Sequence, residues 1–128
     1  MNFASSSVPP IAWVTTGDFS ARFEGFITAE FTETFTFTIA HDNGVRFYMA
    51  AVGGAYGTAL IDSWQNDGLS AAGTHTATFA MVAGTFYKIK IEWNDAGVTN
   101  NLKFEWSSAS QTQTVVPPTA LYPLAESK

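Results

Sequence analysis

The chain has 128 residues, enough for one domain with a single hydrophobic core, and its net charge of −5 with six scattered basic residues excludes a nucleic-acid-binding surface. The absence of cysteine excludes disulfides, zinc–thiolate sites and thiol catalysis. No stretch approaches the roughly 18 apolar residues of a membrane span, and a charged fraction of 13%, with Thr at many polar positions, favours strands over helices.

Alternation of apolar and polar residues predicts several strands in the first half of the chain. Residues 1–16 contain a run of Ser and Pro and are predicted to be a lead or linker before the domain at 17–123. Strands are predicted to follow at 19–26, 31–40, 45–50 and 59–64. Their clearest inward-facing residues are Phe35, Phe37, Ile39, Val45, Phe47 and Met49.

The second half of the chain repeats the alternation in strands predicted at 75–81, 86–93 and 102–106. Their predicted inward-facing residues are Ala77, Phe79, Met81, Tyr87, Ile89, Ile91, Trp93, Leu102, Phe104 and Trp106. Trp64 shares the inward period and is also predicted to lie in the core. Residues 107–118 are predicted to lead out as loop or linker, and 124–128 to form a C-terminal tail.

The spacing of the strands indicates the fold class. Turns rich in Gly, Asn and Asp separate them, and no segment shows a helical period of 3.6 residues. Seven or more short strands of this kind predict an all-β protein, either an antiparallel sandwich or a barrel.

Taken in order, these segments resemble the PA14 domain family over residues 17–123. Residues 19–26 resemble its opening strand, in which an aromatic residue, an Arg and a Gly recur, and 35–48 resemble its core hairpin. Four further segments complete the match: 61–64, 83–92, 102–108 and 118–122. The resemblance implies an antiparallel β-sandwich that binds carbohydrate or another protein outside the cytoplasm.

The resemblance also implies a calcium site. In adhesins of the family, two consecutive Asp residues joined by a cis peptide bond coordinate Ca²⁺, and the ion holds two sugar hydroxyls. The matching pair here is Asp42 and Asn43, which loses one anionic ligand and is expected to weaken calcium binding. The second half of the site matches the loop at 94–101, where Asn94 and Asp95 are the expected ligands. These four residues are the predicted metal ligands and sugar contacts.

Ordinary turn chemistry explains the same residues without a ligand. Asn43 followed by Gly44 is a strong signal for a tight hairpin, and Asn, Asp and Gly are the standard residues of loops such as 94–101. Both interpretations stay open at this point. Tyr56, in a Gly-rich loop, is a further candidate for sugar contact by ring stacking, with Tyr48 as an alternative.

Catalysis is not expected. The acidic residues form no recognisable glycosidase pair, and Glu24, Glu92 and Glu105 have basic neighbours that suit solvated ion pairs. No Gly-x-Ser-x-Gly nucleophile motif is present, and His41 and His75 have no supporting cluster of ligands or acids.

The predicted function is a non-catalytic, lectin-like carbohydrate-binding module, with Ca²⁺ as its expected cofactor, in an extracellular adhesin or a surface or particle protein. Its partner would be a glycan or glycoprotein surface. One alternative is a structural or decoration protein of a phage tail, capsid or surface filament, located in the virion and contacting neighbouring protein subunits. Another is an accessory domain of a glycoside hydrolase. Residues 1–10 show no signal peptide, which suggests a domain of a longer exported chain or a protein released by another route.

Overall fold

The computed structural model describes residues 2–5, 18–42, 44–64, 73–96 and 100–123, and these form an antiparallel β-sandwich. None of the described residues forms a helix long and apolar enough to cross a membrane. The elements are β1 (Asn2–Ser5), β2 (Asp18–Ile27), β3 (Glu33–Asp42), β4 (Gly44–Ala51), β5 (Ile61–Ser63), β6 (Gly73–Met81), β7 (Tyr87–Ala96), β8 (Asn100–Ser107), β9 (Thr114–Val115), a 3₁₀ turn (Pro118–Ala120) and β10 (Leu121–Pro123).

Two five-stranded sheets make the sandwich. The first has the order β1-β8-β3-β6, with β9 also paired to β8, and the second has the order β10-β2-β7-β4-β5. Consecutive strands β3 and β4 lie in different sheets, and so do β7 and β8. Both connections therefore cross between the sheets at the same end of the sandwich, which we call the loop pole: residues 42–44 and 94–101.

The core forms where the inward faces of the two sheets meet, and the predicted alternation is confirmed. Phe37 of β3 packs between sheets, with its ring centroid 5.5 Å from those of Phe47 and Phe104. Burying one such aromatic side chain contributes about 1.5–3 kcal/mol. The largest fully buried side chains are Trp93, Phe35, Phe37, Phe47, Phe104, Ile27, Ile39, Met81, Ile89, Ile91, His41 and Val45.

Both predicted flanking segments contribute strands to the sandwich. The predicted lead at 1–16 includes β1, which pairs with residues 100–103 of β8. The predicted lead-out at 107–118 is wrong in part, because β9 pairs with β8 and Val116 is fully buried, its N–H donating to Phe104 O at 3.0 Å. Strands of four and two residues are too short to show a period, and their pairing partners supply the structure instead.

The prediction that Trp64 lies in the core is wrong. Trp64 is half-buried, and the Arg46 guanidinium carbon lies 4.3 Å from the centroid of its ring. Arg46 points outward from β4, so this contact places the indole on the outer face of the second sheet. Strand β5 ends at Ser63, and the alternation that begins with buried Ile61 does not carry Trp64 inward.

Candidate functional site

Strand register brings the two predicted halves of the site together at the loop pole. Asp42, the last residue of β3, lies opposite Asn101 of β8. Gly44, the first residue of β4, lies opposite Asn94 of β7. The β3–β4 turn and the β7–β8 connection are therefore neighbours, although about 50 residues separate them in sequence.

Two side chains of β7 hold the β3–β4 turn on either side of residue 43. The indole Nε1–H of Trp93 donates to the backbone oxygen of Asp42 at 2.9 Å. The backbone N–H of Gly44 donates to Oδ1 of Asn94 at 2.8 Å. Trp93 is 1% exposed and Asn94 is 7% exposed, so both bonds lie in a medium where hydrogen bonds are strong. The turn is thus fixed from the second sheet.

The side chains of two predicted ligands, Asp42 and Asn94, are described by the structure. Asp42 is half-buried, with its backbone oxygen bound to Trp93. Asn94 is buried, and its amide oxygen already accepts the Gly44 N–H. Asn43 lies outside the described residues, as do 97–99, and of Asp95 only the backbone is described, opposite Phe19.

The donor set at the loop pole has the chemistry that a hard cation prefers, since carboxylate, amide and backbone oxygens are calcium ligands. Among the side chains that the structure describes at this pole, Asp42 supplies a carboxylate. Within the described ranges, no three His, Cys, Asp or Glu side chains are grouped closely enough to hold a metal.

Tyr56 lies away from the loop pole, on the outer face of the second sheet. Its loop folds back over that face through Gly53 and Gly57, whose φ angles of 88° and 66° are in the left-handed region that favours glycine. The Tyr56 ring centroid is 5.8 Å from that of Tyr48. Tyr48 is four residues along β4 from Gly44, which is about 13 Å at the usual strand rise. The structure therefore separates Tyr56 from Asp42.

Burial and a neighbouring carboxylate keep Tyr56 protonated. Burial, and then the Glu24 carboxylate, raise the pKa of Tyr56 to about 12. Its hydroxyl lies 3.5 Å from Oε2 of Glu24, a long contact in which the hydroxyl donates. Tyr56 is therefore a neutral hydrogen-bond donor over the physiological pH range.

A buried and an exposed histidine from adjacent strands of the first sheet contact each other. Nε2 of His41 on β3 lies 2.8 Å from Nδ1 of His75 on β6, and His41 is 1% exposed. Gly73 lies opposite His41 in the register, and a Cβ there would come within 3.4 Å of His75 Cε1. This pairing could not be predicted from the sequence, because it depends on the register between β3 and β6.

The acidic residues considered for catalysis lie in ion pairs, as expected. Glu24 Oε1 is 4.0 Å from Arg22 Nε, Glu92 Oε1 is 2.9 Å from Arg46 Nε, and Glu105 Oε2 is 3.5 Å from Lys103 Nζ.

A cavity of about 300 Å³ lies at the end opposite the loop pole, between the β2–β3 connection and the β9–β10 segment. Sequence reasoning missed it, because its wall joins residues such as Phe35, Trp106 and Tyr122 from three distant segments.

Comparisons with known proteins agree with the fold. The chain is 33% identical over 122 residues to the anti-sigma-I factor RsgI3 of Acetivibrio thermocellus, covering 95% of this chain but 18% of that protein. A solved anti-sigma factor domain-containing protein from Clostridium clariflavum is 31% identical with a TM-score of 0.82, covering 99% of this chain and 40% of that one.

A more distant solved structure shares the fold. The epithelial adhesin 6 A domain of Candida glabrata, solved in complex with Galb1-3GlcNAc, has a TM-score of 0.68 at 16% identity, covering 100% of this chain and 67% of that chain. The chain thus spans less than half of the anti-sigma factor relatives that it matches. The PA14 domain family matches residues 1–120, nearly the whole sequence. The chain therefore belongs to the PA14 domain family.

Proposed function

We propose that the chain is a non-catalytic carbohydrate-binding module of a longer protein that acts outside the cytoplasm, and that it binds its ligand at the loop pole. The observation that carries the proposal is the pair of hydrogen bonds by which Trp93 and Asn94 fix the turn that carries Asp42. A turn held on both sides of residue 43 by β7 presents its carboxylate in one place, which lowers the cost of ordering a binding site. The sugar complex of an adhesin with the same fold supports the proposal.

Residues at the pole take different roles in this proposal. Asp42 is an anionic ligand for Ca²⁺, and Asn94 positions the turn because its oxygen accepts the Gly44 N–H. Asp95, whose backbone lies in β7 beside Asn94, is a proposed further ligand, and Asn43 is proposed with it from the family resemblance. Calcium at this pole would supply a bridge between protein oxygens and sugar hydroxyls. With an amide in place of a second carboxylate, its affinity is expected to be low.

The similarity to anti-sigma factors supports a second candidate function, which is compatible with the first. Identity of 33% covers 95% of this chain, yet only 18% of the anti-sigma-I factor. In this second candidate the module is the recognition part of an anti-sigma factor, and carbohydrate at the loop pole is the signal that the longer chain passes to a protein partner. Both candidates require the same binding site.

Calcium titration by calorimetry tests the site directly. We expect measurable heat of binding for the wild type and none for Asp42→Ala, because the variant loses its anionic ligand. Asp62→Ala is the matched control: Asp62 is exposed on β5, so its loss should leave the heat unchanged. A glycan array with millimolar calcium, repeated with a chelator, then tests for the sugar.

Two results would contradict the proposal. Equal heats for the wild type and Asp42→Ala would remove the calcium site. An array without binding in the presence of calcium would remove carbohydrate as the ligand and leave protein contact as the role of the domain.

A further inference from the structure

The cavity at the end opposite the loop pole has a buried hydrogen-bond donor in its lining residues. Trp106 lines this cavity and is 5% exposed. Its indole Nε1–H is buried and has no hydrogen-bond partner among the residues that the structure describes. The indole of Trp93, by contrast, donates to the backbone oxygen of Asp42. Burying an N–H without an acceptor is costly, so the Trp106 donor calls for a partner. We call this space the tryptophan cavity.

Backbone hydrogen bonds hold the walls of the tryptophan cavity in place. The N–H of Thr28 donates to Ala120 O at 3.0 Å, which joins the β2–β3 connection to the 3₁₀ turn. On the other side, the backbones of Ser108 and Gln111 exchange two hydrogen bonds, of 2.9 and 3.2 Å. The cavity is therefore preformed, and its volume of about 300 Å³ is at the lower end of the range for ligand sites.

The residues that line the tryptophan cavity are mostly aromatic or uncharged. Phe35 packs against Trp106, with their ring centroids 5.0 Å apart, and the two form an aromatic wall. Thr28 and Thr119 add hydroxyl groups. Glu30, which is exposed, is the one charged residue among the described residues of the lining, and none of these is Lys, Arg or His. An anionic ligand would therefore meet a carboxylate and no cation.

A buried donor favours a ligand that supplies acceptors without further donors. A wholly apolar ligand would leave the Trp106 N–H unpaired. An ordinary peptide group or a sugar hydroxyl would bring its own donor into the cavity, and that donor would need an acceptor in turn. Proline supplies a carbonyl without an N–H, together with a compact apolar ring. This residue therefore matches both the donor and the aromatic wall.

We propose that the tryptophan cavity binds a proline-rich segment of a partner protein in the polyproline II conformation. This helix has no internal hydrogen bonds, so its carbonyls are free to accept from Trp106 while its rings pack against Phe35 and Pro117. Grooves lined by aromatic residues bind such segments in several classes of domain, because the helix is ordered before binding and loses little entropy. The segment is uncharged or basic, since Glu30 disfavours acidic flanks.

The tryptophan cavity is distinct from the loop pole. Trp106 is five residues along β8 from Asn101, which lies opposite Asp42, and this is about 17 Å at the usual rise of a strand. Recognition at the cavity uses an indole donor and aromatic rings rather than calcium ligands. Binding of a proline-rich peptide should therefore persist in EDTA and in Asp42→Ala, so that this proposal and the proposed function can fail separately.

Nuclear magnetic resonance titration with acetylated, amidated hexaproline, in the presence of EDTA, tests the proposal. The indole N–H resonances of the isotope-labelled protein are followed, and the Trp106 resonance is assigned by its loss in Trp106→Phe. We expect hexaproline to shift the Trp106 resonance, because its N–H gains an acceptor, and to leave that of Trp93 unchanged. Hexaglycine, which has carbonyls but also free N–H groups and no rings, should cause no shift.

Three variants test where the peptide binds, with the Thr28 and Ala120 amides as reporters. Thr119 is exposed and lines the cavity, so Thr119→Arg should obstruct it and weaken hexaproline binding about tenfold or more. Thr112→Arg makes the same change at an exposed residue outside the lining and should bind as the wild type does. Trp106→Phe keeps an aromatic ring without the donor and should bind about tenfold more weakly. Circular dichroism confirms that each variant is folded.

Several outcomes would overturn the proposal. They are a Trp106 resonance that millimolar hexaproline leaves in place, an equal shift with hexaglycine, and equal weakening in Thr112→Arg and Thr119→Arg. Loss of hexaproline binding in Asp42→Ala would place the peptide at the loop pole instead. A Trp106 shift that follows protein concentration without peptide would assign the cavity to a second copy of the chain, and a shift with lactose but not with hexaproline would assign it to a sugar.

Discussion

Glu33, the first residue of β3, joins that strand to the β8–β9 connection. Its carboxylate accepts hydrogen bonds from Ser108 Oγ at 2.6 Å and from the Ser110 N–H at 3.0 Å, and the Ser110 hydroxyl also donates to it. The Ser108 hydroxyl and then Ser110 lower the pKa of Glu33 below its ordinary value of 4.5. One half-buried side chain therefore connects two segments that are about 75 residues apart.

We expect Glu33→Gln to destabilise the protein at neutral pH but not in strong acid. A carboxylate with a lowered pKa stabilises the folded state above the pKa of the unfolded chain, and this stabilisation is lost as the pH falls through the folded value. Urea unfolding of wild type and variant between pH 7 and pH 2 measures the difference. Glu30→Gln, on the adjacent exposed connection, is the control. A difference that stays constant down to pH 2 would show that the Glu33 charge does not act through these hydrogen bonds.

Asn94 acts at the residue scale through one hydrogen bond. In Asn94→Ala the buried Gly44 N–H loses its acceptor, and we expect a loss of about 1–3 kcal/mol in the free energy of unfolding. Hydrogen exchange checks the cause: the Gly44 amide should exchange faster. The Leu60 amide, which donates to Phe47 O at 2.7 Å away from the turn, should keep its rate. An unchanged Gly44 amide would mean that Asn94 is not its acceptor in solution.

At the scale of elements, the strands that could be predicted from the sequence are those with many alternating apolar and polar residues. β3 and β7 each have ten residues, and a period of two marks the buried face along β3 and from Tyr87 to Trp93 of β7. β1 and β9 escaped prediction because four or two residues hold no period, and only the edge of β8 gives them partners. The order in which strands pair within each sheet could not be predicted from periodicity either, because it depends on contacts between residues far apart in sequence.

The candidate site, too, could be predicted only in part from the sequence. Asp42 and Asn94 could be selected from residue type and family resemblance, and register confirms that their segments are neighbours. The hydrogen bonds that fix the turn could not be predicted, because they require Trp93 and Asn94 to reach across from another strand. Tyr56 was grouped with them by residue type, although its loop folds over a different surface.

For the molecule as a whole, the edges of the sheets differ in how they are protected. The outer strands β1, β5, β9 and β10 have four residues or fewer. β6 has nine residues, pairs with β3 without a bulge, and contains neither proline nor a charged Asp, Glu, Lys or Arg. Its other side pairs with no strand of the described ranges. Natural sheets shield long edges with charge, proline or bulges, so β6 is the surface most open to strand pairing between molecules.

We therefore expect the protein to self-associate at high concentration and Thr76→Lys to reduce that association. Thr76 is exposed at the middle of β6, where a lysine would oppose pairing of a second strand without entering the core. Thr112→Lys, in an exposed loop, makes the same change in net charge from −5 to −4 and is the matched control. A smaller net charge by itself favours association. If Thr76→Lys nevertheless reduces association, the cause is the lysine that blocks strand pairing at the β6 edge. Dynamic light scattering over a concentration series makes the comparison, and equal association of the two variants would show that β6 is not the contact.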